Sequence, residues 1–198
     1  MTQQCAMWID SHCHLDAPEF DADRDRVIAE ARSAGVEAQI LPAIRAANWA
    51  HLKALCDGHP DLFPAYGLHP MFLPDHRPEH LPQLRQWIER ERPVAVGECG
   101  LDFFVDGLDP ETQRDFLRGQ LDLAAEFDLP VILHARRAVD ALLVELRRYG
   151  GRLRGVVHSY SGSEEQAQQL FKLGFCLGIG GPVTYERAQR LRRLVARM

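Results

Sequence analysis

Short apolar runs alternate with longer segments in which apolar residues return every three or four positions, from one end of the chain to the other. The runs Met7 to Ile9, Glu37 to Leu41, Phe63 to Tyr66, Val94 to Val96, Val131 to Leu133, Gly155 to Val157 and Phe175 to Gly178 have the length expected of strands buried on both faces. Between them, Val27, Ile28 and Ala31 share one helical face. So do Trp49, Leu52, Leu55 and Cys56; Leu84, Trp87 and Ile88; Phe116, Leu117, Leu121 and Ala124; Leu142, Leu143 and Leu146; Ala167, Leu170 and Phe171; and Leu191, Leu194 and Val195. Parallel strands inside and helices outside are the simplest way to bury both patterns. Pro110 with Glu111 suits the first turn of a helix, and Gly35, Gly150 and Gly174 fall where helices should stop.

Repeated βα units build either an open doubly wound sheet or a closed barrel. The polar residues separate the two: histidines, a carboxylate and glycines follow nearly every strand run, and a barrel gathers many strand ends into one mouth, whereas an open sheet works at one switch point. The expectation is a single-domain α/β fold over residues 1–198, of the TIM (β/α)8 type. A full barrel takes about 250 residues, so seven units in 198 residues predict a chain that lacks the eighth βα unit and is C-terminally truncated.

Composition narrows the function. The chain carries 23 Lys and Arg against 28 Asp and Glu, a net charge of −5, with no long basic run. A broad cationic nucleic-acid surface is therefore not expected, and any such binding must be local. Five scattered cysteines, an odd number without a CxxC pair, read as reduced thiols. No signal-like N-terminus and no run near the roughly 20 apolar residues of a membrane span is present, so no membrane partner and a cytoplasmic location are expected.

The candidate chemistry lies at the strand ends. His12 and His14 are two residues apart and point the same way if the segment is extended, with Cys13 opposite. An HxH pair alone is equally a pair of hydrogen-bonded core histidines. Glu98 follows the run ending at Val96, flanked by Gly97 and Gly100; a buried carboxylate there needs a cation, either a metal or an arginine. His134 and His158 each close an apolar run. Four imidazoles and one carboxylate predict a binuclear site, one ion on His12, His14 and Glu98, the other on Glu98, His134 and His158. Two divalent ions are expected, Mg, Mn or Zn; Ni and Co also suit these donors, and Mg, which prefers oxygen, suits them less readily. Such a pair serves phosphoester or amide hydrolysis through activated hydroxide.

The segments WIDSHCHLD, PAYGLHP, AVGECGLDF, PVILHARRAVD, VVHSYSGS and LGIGGPVTY resemble, in order, the signatures of the TatD family of metal-dependent deoxyribonucleases, over Met7 to Met198. The resemblance implies a TIM barrel, divalent-metal dependence and exonucleolytic hydrolysis of DNA from the 3′ end, on single-stranded or frayed termini. It places metal ligands at His12, His14, Glu98, His134 and His158, with Glu98 also catalytic. In one respect the chain departs from the family: no position before Met198 matches the aspartate that follows the eighth strand and acts there as a metal ligand and general base. Other metal-dependent phosphoester or amide hydrolysis, or a catalytically impaired metal-binding form, therefore stay open.

His69 resembles the family's barrel-mouth histidine, a contact for substrate phosphate or water, with loop capping the alternative. Arg136 is a candidate phosphate ligand, or else a rim partner of Asp140. Asp10 could support the HxH pair or simply bond its own strand. Ser159, Ser161 and Gly162 suit a phosphate-contacting loop or plain turn chemistry. Asp102 reads as a cap for the loop after Glu98. His51, His59, His76 and His80 read as surface residues.

Overall fold

The computed structural model describes residues 7–198, and seven strands form where the apolar runs place them. They are β1 (Trp8–Asp10), β2 (Val36–Pro42), β3 (Leu62–Tyr66), β4 (Ala95–Asp102), β5 (Val131–Arg136), β6 (Gly155–Val157) and β7 (Phe175–Leu177). All adjacent pairs are parallel and the sheet order is the chain order. Seven helices connect or follow them: α1 (Arg24–Ser33), α2 (Trp49–Asp57), α3 (His80–Glu91), α4 (Pro110–Glu126), α5 (Val139–Arg147), α6 (Glu164–Lys172) and α7 (Gln189–Val195). The result is a curled, TIM-like half-barrel with β1 and β7 at its two edges. At the β1 edge Met7, Trp8 and Ile9 are exposed, whereas every residue of β4 is buried.

Helix ends follow local chemistry. The Asp109 side chain accepts from the Thr112 N–H ahead of Pro110 at the start of α4, and Ser163 with Gln166 forms a reciprocal capping box at α6. Gly35, Gly150 and Gly174 take the left-handed conformation just past helices. The helices pack Leu52, Leu84, Leu117, Leu121 and Leu142 against Leu41, Val96, Leu101 and Leu133 of the sheet, all fully buried.

Two boundaries differ from expectation. Strand β4 runs on through Glu98 to Asp102, so the carboxylate lies within a strand rather than beyond it. The cause is pairing: after a register shift between Val96 and Cys99, residues Cys99 to Asp102 pair with Leu133 to Arg136, which also carries His134 inside β5. That close approach depends on Gly100, at φ +146°, where a Cβ would lie 2.0 Å from the His134 carbonyl oxygen. At Gly67 a Cβ would lie 2.5 Å from the Gly97 carbonyl carbon, so the end of β3 also closes directly onto the backbone before Glu98.

Candidate metal centre

Glu98 is 1% exposed and stands at the centre of the strand ends. Beyond β1 the chain bends at Ser11 and Cys13 N–H bonds to the Ile40 carbonyl at 3.1 Å, so Cys13 packs toward the core while His12 and His14 turn together to the carboxylate. His12 Nε2 lies 3.3 Å and His14 Nε2 3.6 Å from Glu98 Oε2, and the two nitrogens are 3.1 Å apart. On the other side His134 Nδ1 is 3.2 Å and His158 Nε2 2.5 Å from Glu98 Oε1, with 3.2 Å between them. The two carboxylate oxygens thus face two different pairs of imidazoles. His12 stacks on His158 at 3.9 Å, which joins the two halves.

The donors fit a divalent cation on two counts. Bonds of about 2.1 Å in tetrahedral array put donors roughly 3.4 Å apart, and the separations of 3.1, 3.3 and 3.6 Å around His12, His14 and Glu98 Oε2 match that spacing. The tautomer of His134 gives the second. Its Nε2 donates to Asp102 Oδ2 at 2.9 Å, so in the neutral ring Nδ1 is the lone-pair nitrogen, 3.2 Å from an oxygen of an ionised carboxylate, and without a metal a proton must lie between the two. Two acceptors in contact need a proton or a metal between them.

Electrostatics follow from burial. Desolvation opposes ionisation of Glu98, yet the close imidazoles of His134, His14, His158 and His69 hold its pKa well below the usual carboxylate range. Burial pushes His12 down to about 3, so its imidazole is neutral and its lone pair free. His14 is raised, chiefly through its hydrogen bond to Glu98. Burial of His134 works against its charging, but Glu98 and Asp102 outweigh it and the pKa rises.

His69 is buried and does two things at once. Its Nδ1 accepts from Met71 N–H at 3.1 Å, capping the 3-10 turn Pro70–Asp75, so the ring proton sits on Nε2 and donates to Glu98 Oε1 at 3.1 Å. Although its Nε2 lies within ligand distance of Glu98 and His134, that proton makes it a donor to the carboxylate. Burial lowers its pKa, in keeping with a neutral ring.

The remaining candidates separate cleanly. Arg136 makes no ion pair with Asp140, whose carboxylate accepts from Gln166; it lies exposed, 3.6 Å over the Phe104 ring, with Arg137 4.6 Å from the same ring. Asp10 accepts from the His12 N–H, a local backbone bond. Ser161 and Gly162 line a cavity of about 780 Å³ beside Arg137 and Arg190. Asp102 does cap its loop, accepting from Phe104 and Val105 N–H, but its other oxygen orients His134. His76 corrects the sequence reading: it is 5% exposed, not on the surface, because the turn Pro70–Asp75 folds it back against Phe116 with Nε2 on the His69 carbonyl at 2.8 Å. The described cysteines are free; Cys5 lies outside the described residues.

Two glutamines of α4 had no signal beyond their place on its buried face. Gln113 bonds both the N–H and C=O of Asp102, and Gln120 both the N–H and C=O of Leu68. One helix thereby fixes the strand ends that carry Asp102 and His69.

A parallel β/α half-barrel with a buried glutamate among histidines at its strand ends defines a metal-dependent hydrolase. The model of the TatD related DNase family matches residues 9–198, and the chain belongs to that family. It is 44% identical, over 96% of its own length and 74% of the relative's, to a protein of Escherichia coli K12 named as the uncharacterized metal-dependent hydrolase YjjV. The crystal structure of that TatD homologue superimposes with a TM-score of 0.91. A 3′-5′ ssDNA/RNA exonuclease TatD of Erwinia tasmaniensis is 35% identical over 92% of this chain and 71% of its own. A TatD-family hydrolase of Entamoeba histolytica, 23% identical with a TM-score of 0.78, shares the fold. Among the described residues no helix is long and apolar enough to cross a membrane.

Proposed function

We propose that the domain removes nucleotides from the 3′ end of single-stranded DNA, hydrolysing phosphodiester bonds with two divalent cations. One observation carries the reading: the two oxygens of Glu98 face separate imidazole pairs, His12 with His14 and His134 with His158. The five side chains would hold the ions, His12 and His14 with Glu98 on one side and His134 and His158 with Glu98 on the other. When bound, such a pair activates water and stabilises charge on the attacking and leaving oxygens.

The chain's own residues supply the frame. His69 keeps a proton on Nε2 against Glu98 Oε1, which leaves the carboxylate ionised and fixed in rotation. Asp102 holds the proton of His134 on Nε2, so Nδ1 stays a lone-pair donor. Arg136, exposed and flat on Phe104 at the end of β5, offers a guanidinium edge to a phosphate of the incoming strand. The exonuclease relative motivates DNA as substrate.

A second reading is hydrolysis of small phosphodiesters, since the YjjV relative is named only as an uncharacterized metal-dependent hydrolase and binuclear barrel sites serve many substrates. The test incubates metal-loaded protein with single-stranded DNA carrying a 3′ label. Release of the label as the terminal mononucleotide in the first cut, abolished by chelation and by Glu98→Gln, is the expected result. Turnover of bis(p-nitrophenyl) phosphate with DNA left intact favours the second reading.

A further inference from the structure

A cleft of about 640 Å³ opens onto the metal centre from the side of β2 and β3, with His14, His69 and Glu98 in its lining. Its walls are apolar at Pro18, Ile44 and Phe72, and Arg45 lies 4.8 Å over the Phe72 ring. The larger cavity beside Arg137 includes none of the Glu98 cluster, whereas this cleft is continuous with the site.

Two polar atoms in this cleft are buried without partners. Arg45 Nε has no hydrogen-bond acceptor, and the same guanidinium makes only a long 3.4 Å contact to Asp75. Asp16 Oδ1 accepts no hydrogen bond, although the side chain is only 7% exposed; its nearest cationic neighbour, His14 Nδ1, is 3.9 Å away. Leaving a buried donor and a buried acceptor unmatched beside an apolar wall is unfavourable, so both are primed for a partner, water or a ligand that displaces it. A ligand that satisfies both has a flat apolar body edged with hydrogen-bond acceptors for Arg45 Nε, a hydroxyl to donate to Asp16 and an anionic group that reaches the metals.

We infer that this cleft holds the terminal nucleoside of the strand being cut, its base against the Arg45–Phe72 stack and its free hydroxyl on Asp16. The assignment rests on the exonuclease reading and adds to it the means by which an end is recognised. A stacked guanidinium and phenyl ring accept any base, because every base has a π-face. A carboxylate beside the hydroxyl repels a terminal phosphate, so strands ending in phosphate are excluded by charge.

The experiment uses single-stranded DNA with 2-aminopurine at the 3′ terminus or at the fourth position from it, bound to the protein in chelator. Fluorescence of the terminal probe falls on binding, that of the internal probe does not, and Phe72→Leu, which keeps apolar bulk, or Arg45→Gln removes the difference. With metal restored, an abasic 3′ terminus lowers kcat/KM by roughly 5- to 150-fold, the range of one base–aromatic stack. A 3′-phosphate lowers it in wild type, and Asp16→Asn narrows that gap. Equal quenching at both positions, or equal cleavage of intact and abasic ends, overturns the cleft assignment and leaves the exonuclease intact. No cleavage of any strand, with bis(p-nitrophenyl) phosphate still hydrolysed, overturns the exonuclease reading and this assignment together.

Discussion

Asp102 Oδ2 sits 2.9 Å from His134 Nε2, and that contact decides which nitrogen of His134 faces Glu98. The other Asp102 oxygen is committed to the N–H groups of Phe104 and Val105, so the side chain joins loop to imidazole. An amide cannot serve both, because one of its ends is a donor. Asp102→Asn should weaken divalent-metal affinity by about 10- to 100-fold, the usual cost of losing a carboxylate behind a ligating histidine. Competition with a chromophoric chelator measures this, and unchanged affinity would mean that His134 is oriented by something else.

Metal uptake should release protons in a pH-dependent way. His14 and His134 both have raised pKa values in the metal-free protein, the first mainly through Glu98, the second because Glu98 and Asp102 outweigh its burial. Below those values each ion must displace protons from imidazole, and above them it meets free lone pairs. Apparent affinity therefore rises with pH through the region above 6.5, the ordinary histidine value. Calorimetry in two buffers of different ionisation enthalpy should show proton release that falls as pH rises from 6. Release that does not change with pH would contradict the electrostatics.

Gly100→Ala should abolish metal binding and destabilise the fold by roughly 2 kcal/mol or more, since strained backbone and overpacking add. A Cβ at that position would meet the His134 carbonyl oxygen at 2.0 Å, with φ at +146°. Strands β4 and β5 must separate, and Glu98 and His134 with them. Urea unfolding and metal titration on the same sample check both halves of the expectation.

The sheet was legible because its strands are short apolar runs between helices of clear period, and all seven appear in chain order. The extent of β4 was not: GECGLD has the glycines and charges of a loop, and only pairing with β5 keeps it a strand. His12, His14, Glu98, His134 and His158 were legible from their places after apolar runs, and the structure brings them together. Gln113 and Gln120 were not, since glutamine in a helix usually faces water; their seven-residue spacing on the apolar side of α4 was the signal. His76 and the Arg45–Phe72 stack depend on the turn Pro70–Asp75, a chain reversal that no periodicity announces.

Stability at acid pH should depend on the pair that ties α4 to α5. Arg118 Nε and Nη2 donate to the two oxygens of Glu145 at 2.8 and 2.7 Å, and Glu145 is 2% exposed. The Arg118 hydrogen bonds hold the Glu145 pKa below its ordinary 4.5. A depressed pKa contributes stability that is present above the unfolded value and is lost as pH falls through the folded one. Arg118 is about one-third exposed, so solvent screens the pair and Glu145→Gln should cost only about 1–3 kcal/mol at pH 7. As pH falls below 4.5 and toward the lower folded value, wild type loses the same interaction by protonation, and the gap between the two proteins should narrow. Urea midpoints at pH 7 and pH 3.5 measure the gap; a difference that persists undiminished in acid would show that packing, not charge, accounts for it.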